Sequence, residues 1–134
     1  MPHIIIDDDS FRATTDMRLL MYAPVKLTTT KDWVAVCAAA ADRVFGILYG
    51  KPNVGDAARI VLLGRCSAKV DGSGTAIAIG DYLGSNAAGT MLVKKATADY
   101  SVCAMALDVC TISGGIIDVQ FWGGMATFFR TAGG

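Results

Sequence analysis

A hydroxyl or thiol nucleophile needs a base beside it, normally an imidazole, and this chain has one His, His3, close to its first residue. Against that single base stand four thiols, Cys37, Cys66, Cys103 and Cys110, each inside or beside an apolar segment. None belongs to a Cys-x-x-Cys pair, so the pattern argues against zinc and against a disulfide framework. Buried, reduced thiols in a protein made in a reducing cytosol are expected instead. Asp7-Asp8-Asp9 gathers carboxylates, the ligand type for a hard divalent cation. It lacks the spaced ligands and the Gly of a calcium loop and reads as a solvated acidic run. Asp71-Gly72-Ser73-Gly74-Thr75 shares only its glycines with a phosphate loop and lies between apparent strands, so a hairpin turn is expected there. Asp42, Asp56, Asp81, Asp99, Asp108 and Asp118 are scattered singly, as turn formers are, with no spacing that marks an acid–base pair. Trp33, Trp122, Tyr49, Tyr82 and Phe121 offer faces on which a sugar or base could stack, but without accompanying basic residues they read as core and interface packing. These patterns imply no catalytic residue, no metal and no cofactor.

The elements that would have to position a site show a duplication. Residues 41–64 run from Ala41-Asp42 through Val44-Phe45-Gly46-Ile47-Leu48-Tyr49 to Arg59-Ile60-Val61-Leu62-Leu63-Gly64. Residues 98–123 run from Ala98-Asp99 through Val102-Cys103-Ala104-Met105-Ala106-Leu107 to Ile116-Ile117-Asp118-Val119-Gln120-Phe121-Trp122-Gly123. Each copy is a polar start, an apolar strand, a Gly-containing link, a second apolar strand and a Gly stop. Two such units predict a small β-barrel or sandwich built by pairing similar halves.

Further strands are expected at Val25–Thr28, Trp33–Cys37, Cys66–Val70, Thr75–Ile79 and Met91–Lys95, with Gly64 as a bend or bulge. Gly50 to Asp56, with Pro52, is a strong turn, Asp71 to Gly74 is another, and Ser85 to Thr90 is a loop of small residues. The total is about nine or ten short strands in an all-β domain with little helix. A short helix over Thr15–Tyr22 is allowed before Pro24 stops it, with Asp16 in its first turn. Residues 1–30 read as an N-terminal arm, residues 31–123 as the β domain and residues 124–134 as a tail. The arm either docks on a partner through Phe11, Leu19, Leu20, Met21 and Tyr22 or packs on its own domain. In the tail, Phe128-Phe129 is either a lid on the core or a partner anchor.

Length and composition bound the rest. A chain of 134 residues is one domain that buries about two-thirds of its unfolded surface. With 53% hydrophobic residues and no uninterrupted apolar stretch near about 18 residues, no transmembrane helix is expected, and the surplus apolar surface is expected against other subunits. Met1 to Asp9 has no positive n-region, so no secretory signal is expected there. Twelve basic and twelve acidic residues give zero net charge, which argues against electrostatic binding of nucleic acid and leaves self-association unopposed.

Over roughly residues 33–122 the sequence resembles the capsid decoration, or cement, proteins of tailed bacteriophages. The resemblance rests on Val44-Phe45-Gly46-Ile47-Leu48, Pro52, Gly55, Val61 and Gly64, followed by Ala76-Ile77-Ala78-Ile79-Gly80-Asp81-Tyr82-Leu83 and Gly89. Val102 to Leu107 and Ile116 to Val119 look like the family's closing strands. Cys103 stands where that family often has Gly, and the first thirty residues and the Phe-bearing tail extend beyond its common core. The resemblance implies a non-enzymatic virion protein on the outer face of the head, made in the host bacterial cytoplasm. Its partners would be the major capsid protein and other copies of itself, as a homotrimer, with no direct nucleic-acid or membrane contact. Deleting residues 1–24 is then expected to weaken capsid binding while leaving the β domain folded. The alternatives are a head-fibre or tail component that contacts a host receptor or glycan, and, from another class, a small β-barrel hydrolase using dispersed Asp or Cys residues.

Overall fold

Gly64 divides the segment that follows Arg59 into two kinds of strand. Before it, Ile60-Val61-Leu62-Leu63 is continuously apolar; after it, buried Cys66, Ala68 and Val70 alternate with Arg65, Ser67, Lys69 and Asp71. A continuous run suits a strand covered on both faces, and an alternating one suits a strand with one wet face. Both occur within one twelve-residue strand of the computed structural model, which describes residues 5–7, 10–40, 42–95 and 102–122.

Ten strands follow in order: β1 Ile5–Asp7, β2 Arg12–Ala13, β3 Pro24–Leu27, β4 Trp33–Val36, β5 Gly46–Leu48, β6 Ile60–Asp71, β7 Tyr82–Ser85, β8 Leu92–Lys94, β9 Val102–Ala106 and β10 Ser113–Phe121. The second half of β6 closes a five-stranded barrel in the order β6-β8-β7-β9-β10 and back to β6. The first half of β6 instead carries β1 on one side and β5-β3-β4-β2 on the other, forming an open wing. The change of partner falls at Gly64, which pairs with Phe121 and takes φ 117°. That backbone conformation is open to glycine and strained for other residues, so Gly64 lets one strand serve two sheets.

Two cores result. The barrel is filled by Cys66, Ala68, Val70, Leu83, Leu92, Cys103, Ala104, Val119 and Phe121, among others. The wing covers Ala13, Met17, Val25, Val34, Leu48, Ala58 and Ile60, braced by Phe11, Leu20 and Phe45. The β5–β6 pair is the partition between them. The cross-strand pair Ile47–Val61 faces the barrel core, and the next pair, Leu48–Ile60, faces the wing core. Period-two alternation therefore buries both faces of these strands.

Both copies of the repeated unit form antiparallel pairs, β5 with β6 and β9 with β10, and the continuation of β6 from Gly64 to Asp71 pairs with β10. Other sequence expectations needed correction. No helix occurs among the described residues; Thr15–Tyr22 makes turns instead. There the Met17 amide donates to the Pro52 carbonyl, the Tyr22 amide to Leu48, and the Asp16 carboxylate accepts from the Arg18 amide. These long-range partners replace the helical ladder because they seat Met17 in the wing core with none of its surface exposed. Thr75–Ile79 is not a strand. Its one bridge joins Ile77 to Cys110, and the Ala78 amide is taken by the Asp81 carboxylate, which closes a turn instead. Tyr82–Ser85, expected as a lead into a loop, is β7 in the barrel wall.

The described residues among the first thirty are woven into the wing. They supply β1, β2 and β3, and Ala13, Met17, Ala23 and Val25 are fully buried. Removing residues 1–24 would thus open the wing core, so the folded truncation expected from the sequence does not follow from this packing.

Candidate functional site

Three of the four thiols are buried where their reactivity is suppressed. Burial pushes the Cys37 and Cys66 thiols up to about 12, with Asp42 and Asp118 respectively adding to the shift, and burial raises Cys103 further. A thiol so protonated is no nucleophile at neutral pH. The carboxylates are occupied by turns. Asp42 accepts from the Ala38 and Ala39 amides and from Lys26 Nζ, Asp71 from Ser73, Asp56 from the Asn53 amide and Asp108 from the Val109 amide. Asp81 caps Ala78 and lies 3.7 Å from Lys94 Nζ. Among the described residues, no three His, Cys, Asp or Glu side chains gather to hold a metal ion. His3, Asp8, Asp9 and Asp99 lie outside the described residues.

What the fold does assemble is a surface. The turn before β3 carries Leu19, 91% exposed, with Met21 and Tyr22 half-buried behind it. Tyr22 has φ 71°, a left-handed conformation rare for a non-glycine residue. Two backbone hydrogen bonds hold it there: its amide donates to Leu48 at 2.7 Å, and its carbonyl accepts from the Lys69 amide at 2.9 Å. Its ring meets Tyr49 edge-on at 6.0 Å, and the Arg59 guanidinium lies 5.7 Å from the Tyr49 ring centre. Across Lys69 stands Ile116, on an outward position of β10 and 55% exposed. Arg18, Leu19, Met21, Tyr22, Lys51, Lys69 and Ile116 line a shallow cleft of about 250 Å³. Tyr49 also borders a neighbouring cleft of about 280 Å³ with Ile6, Arg65 and Asp118, where Arg65 and Asp118 form an exposed ion pair at 2.8 Å.

Of the interface residues expected from the sequence, Leu19, Met21 and Tyr22 share this cleft. Phe11 and Leu20 turn inward instead, packed on the wing core, with Phe11 edge-on to Phe45 at 5.1 Å. Phe128 and Phe129 lie outside the described residues. Sequence reasoning placed Tyr49 only among packing aromatics and missed Lys51, Lys69 and Ile116. One signal was legible. Along β10 the outward positions are Ile116, Asp118 and Gln120, so Ile116 is an aliphatic residue where the alternation calls for a polar one.

With this geometry in view, a solved structure shares the fold. It is the N base of the head fibre protein gp8.5 of bacteriophage phi29, at TM-score 0.61 and 17% identity, covering 90% of this chain and 94% of that one. At such identity the likeness is one of fold. The sequence matches no protein-family model and no curated protein. The likeness spans barrel and wing together, since either alone would cover far less of the chain.

Proposed function

We propose that this chain is a non-enzymatic structural protein of a phage virion, bound to the outer face of the head and stabilising the lattice of the major capsid protein. The observation that carries this reading is the shared fold with a phage head-fibre base over 90% of the chain. It is joined by the independent sequence resemblance of residues 33–122 to capsid decoration proteins. The chemistry agrees: burial raises the Cys37, Cys66 and Cys103 thiols, and Asp42, Asp56, Asp71 and Asp81 accept hydrogen bonds within turns. In this role the partners are the shell subunit and further copies of the chain, as a homotrimer, and Leu19, Met21 and Tyr22 contact the shell. A protein that binds only the assembled shell stabilises that state by mass action, and many copies on a lattice add avidity.

A second reading draws on the name of the structural neighbour, a head-fibre base. As the base of a head fibre, the chain would anchor a receptor- or glycan-binding element to the head without holding the lattice together. Co-sedimentation with expanded heads lacking the protein, followed by melting of the particles, separates the two. Saturable binding in fixed ratio to the shell subunit with a raised particle melting temperature is the result expected of a cement protein. Saturable binding without a change in melting would instead support a fibre base. Absence of binding across salt conditions would discard both.

A further inference from the structure

We propose that the cleft between the Leu19–Tyr22 turn and the outer face of β6–β10 takes an acidic protein segment that carries an apolar anchor, supplied by the shell subunit. This deepens the preceding proposal, rests on it, and names both the surface and the chemistry of its partner.

Three observations carry it. First, the surface joins residues distant in sequence into one apolar and aromatic floor: Leu19, Met21 and Tyr22, then Tyr49, then Ile116. Tyrosine pairs with polar rims are the composition of interface anchors, since each ring buries much area while ordering only two torsions. Second, Tyr22 holds its φ of 71° although nothing in a surface turn demands a bulky side chain there. Glycine would serve the turn without strain, so keeping an aromatic ring in this conformation points to a use for the ring. The Leu48 carbonyl and the Lys69 amide fix that conformation, and with it the approach of the ring to Tyr49.

Third, the rim is unbalanced in charge although the whole chain is neutral. Arg18 is answered by Asp16 at 2.8 Å. Lys51 and Lys69, which both line the cleft, have no carboxylate partner among the described residues. Two cations set about an apolar floor match a short acidic segment with one apolar side chain. They are too few and too far from a continuous basic stripe to track a nucleic-acid backbone. Charges at the rim set approach rate and salt dependence, while the apolar and aromatic floor, once covered, sets how slowly the partner leaves.

The test uses the full chain and expanded heads prepared without it. Lys51→Glu combined with Lys69→Glu, Tyr22→Gly and Ile116→Glu are titrated onto the heads at low and moderate salt. Ile79→Glu, an exposed aliphatic residue in another loop, is the control, and the free chains are melted alongside. Wild type is expected to bind saturably and to weaken as salt rises. The double Lys variant is expected to lose about 10-fold or more in affinity together with most of the salt dependence, and Tyr22→Gly and Ile116→Glu about 10-fold each. The control should stay within about twofold, and every free chain should melt near wild type. Tyr22→Gly keeps the test independent of folding, because glycine suits that backbone better than tyrosine does. Wild-type binding by the double Lys variant and by Ile116→Glu would overturn the inference while leaving the head-binding reading intact. Equal loss in the Ile79→Glu control would overturn it too. If wild type itself fails to bind, the head-binding reading falls first and this inference falls with it.

Discussion

The two copies of the strand–link–strand unit show how similar sequences are put to different uses. In both, the strands pair antiparallel, with Ile47 opposite Val61 in one and Val119 opposite Ala106 in the other. The first pair is a partition with a core on each face; the second is a barrel wall with Ile117, Val119 and Phe121 inside and Ile116, Asp118 and Gln120 outside. The difference arises at β6, whose first residues belong to the first unit and whose continuation past Gly64 closes the barrel on β10. The barrel has no free edge, and a closed sheet offers no strand to other chains. The wing ends on the two-residue β2 and the three-residue β1, edges too short to template much pairing. What this division teaches is that a closed and an open sheet can share one strand, with the turn before β3 leaning on the barrel's outer face through the Tyr22 carbonyl and the Lys69 amide.

If β6 truly joins two cores into one cooperative unit, emptying either core should lower a single transition. Phe121→Ala in the barrel is expected to cost about 4 kcal/mol and Met17→Ala in the wing about 3 kcal/mol, each read by denaturant unfolding with one sigmoidal curve. A separate early transition in Met17→Ala would break the comparison, because the wing would then be melting off an intact barrel.

The handover residue comes next. Gly64→Ala is expected to cost about 2 kcal/mol, since a Cβ must enter a buried position at φ 117°. Gly55→Ala should cost about 1 kcal/mol, because at φ 80° the added Cβ meets nothing within 4 Å. Equal costs at the two sites would deny Gly64 its special place.

A smaller effect tests how the loop after β4 is tied down. Asp42 is held below the usual carboxylate range by the Ala38 amide, then by Lys26 of β3. A group whose folded pKa is depressed adds stability that is present above its unfolded pKa, about 3.9, and lost as pH falls through the folded value. Melting from pH 6 down to pH 2 should therefore show an acid limb, shallower in Asp42→Asn, with a neutral-pH loss of about 1 kcal/mol. An identical acid limb in the variant would remove Asp42 from the account. The smallest effect is expected at Asp16, lowered to about 2 by its exposed bond to Arg18. Asp16→Asn should leave the melting temperature unchanged within error, because solvent screens a pair on a surface turn.

The register of apolar residues was legible in the sequence wherever strands obey a simple period. Alternation marked β3 and the second half of β6, and apolar runs marked the first half of β6 and β10 as strands, but only the fold shows that Ile60 and Val61 face two different cores. Thr75–Ile79 misled because a β-rich composition cannot reveal that the Asp81 carboxylate takes the Ala78 amide. The Thr15–Tyr22 turns misled because their hydrogen-bond partners, Pro52 and Leu48, are some thirty residues away.

By itself the sequence determined an all-β domain with paired duplicate units and thiols without a base, since these depend on composition and on the two-residue period of a strand. Only the tertiary structure decided that one strand serves two sheets, that Met17 sits at the centre of a second core, and that Tyr22 meets Tyr49 beside Ile116. Those facts depend on contacts between residues far apart along the chain, and no local propensity encodes which distant partner a turn will find.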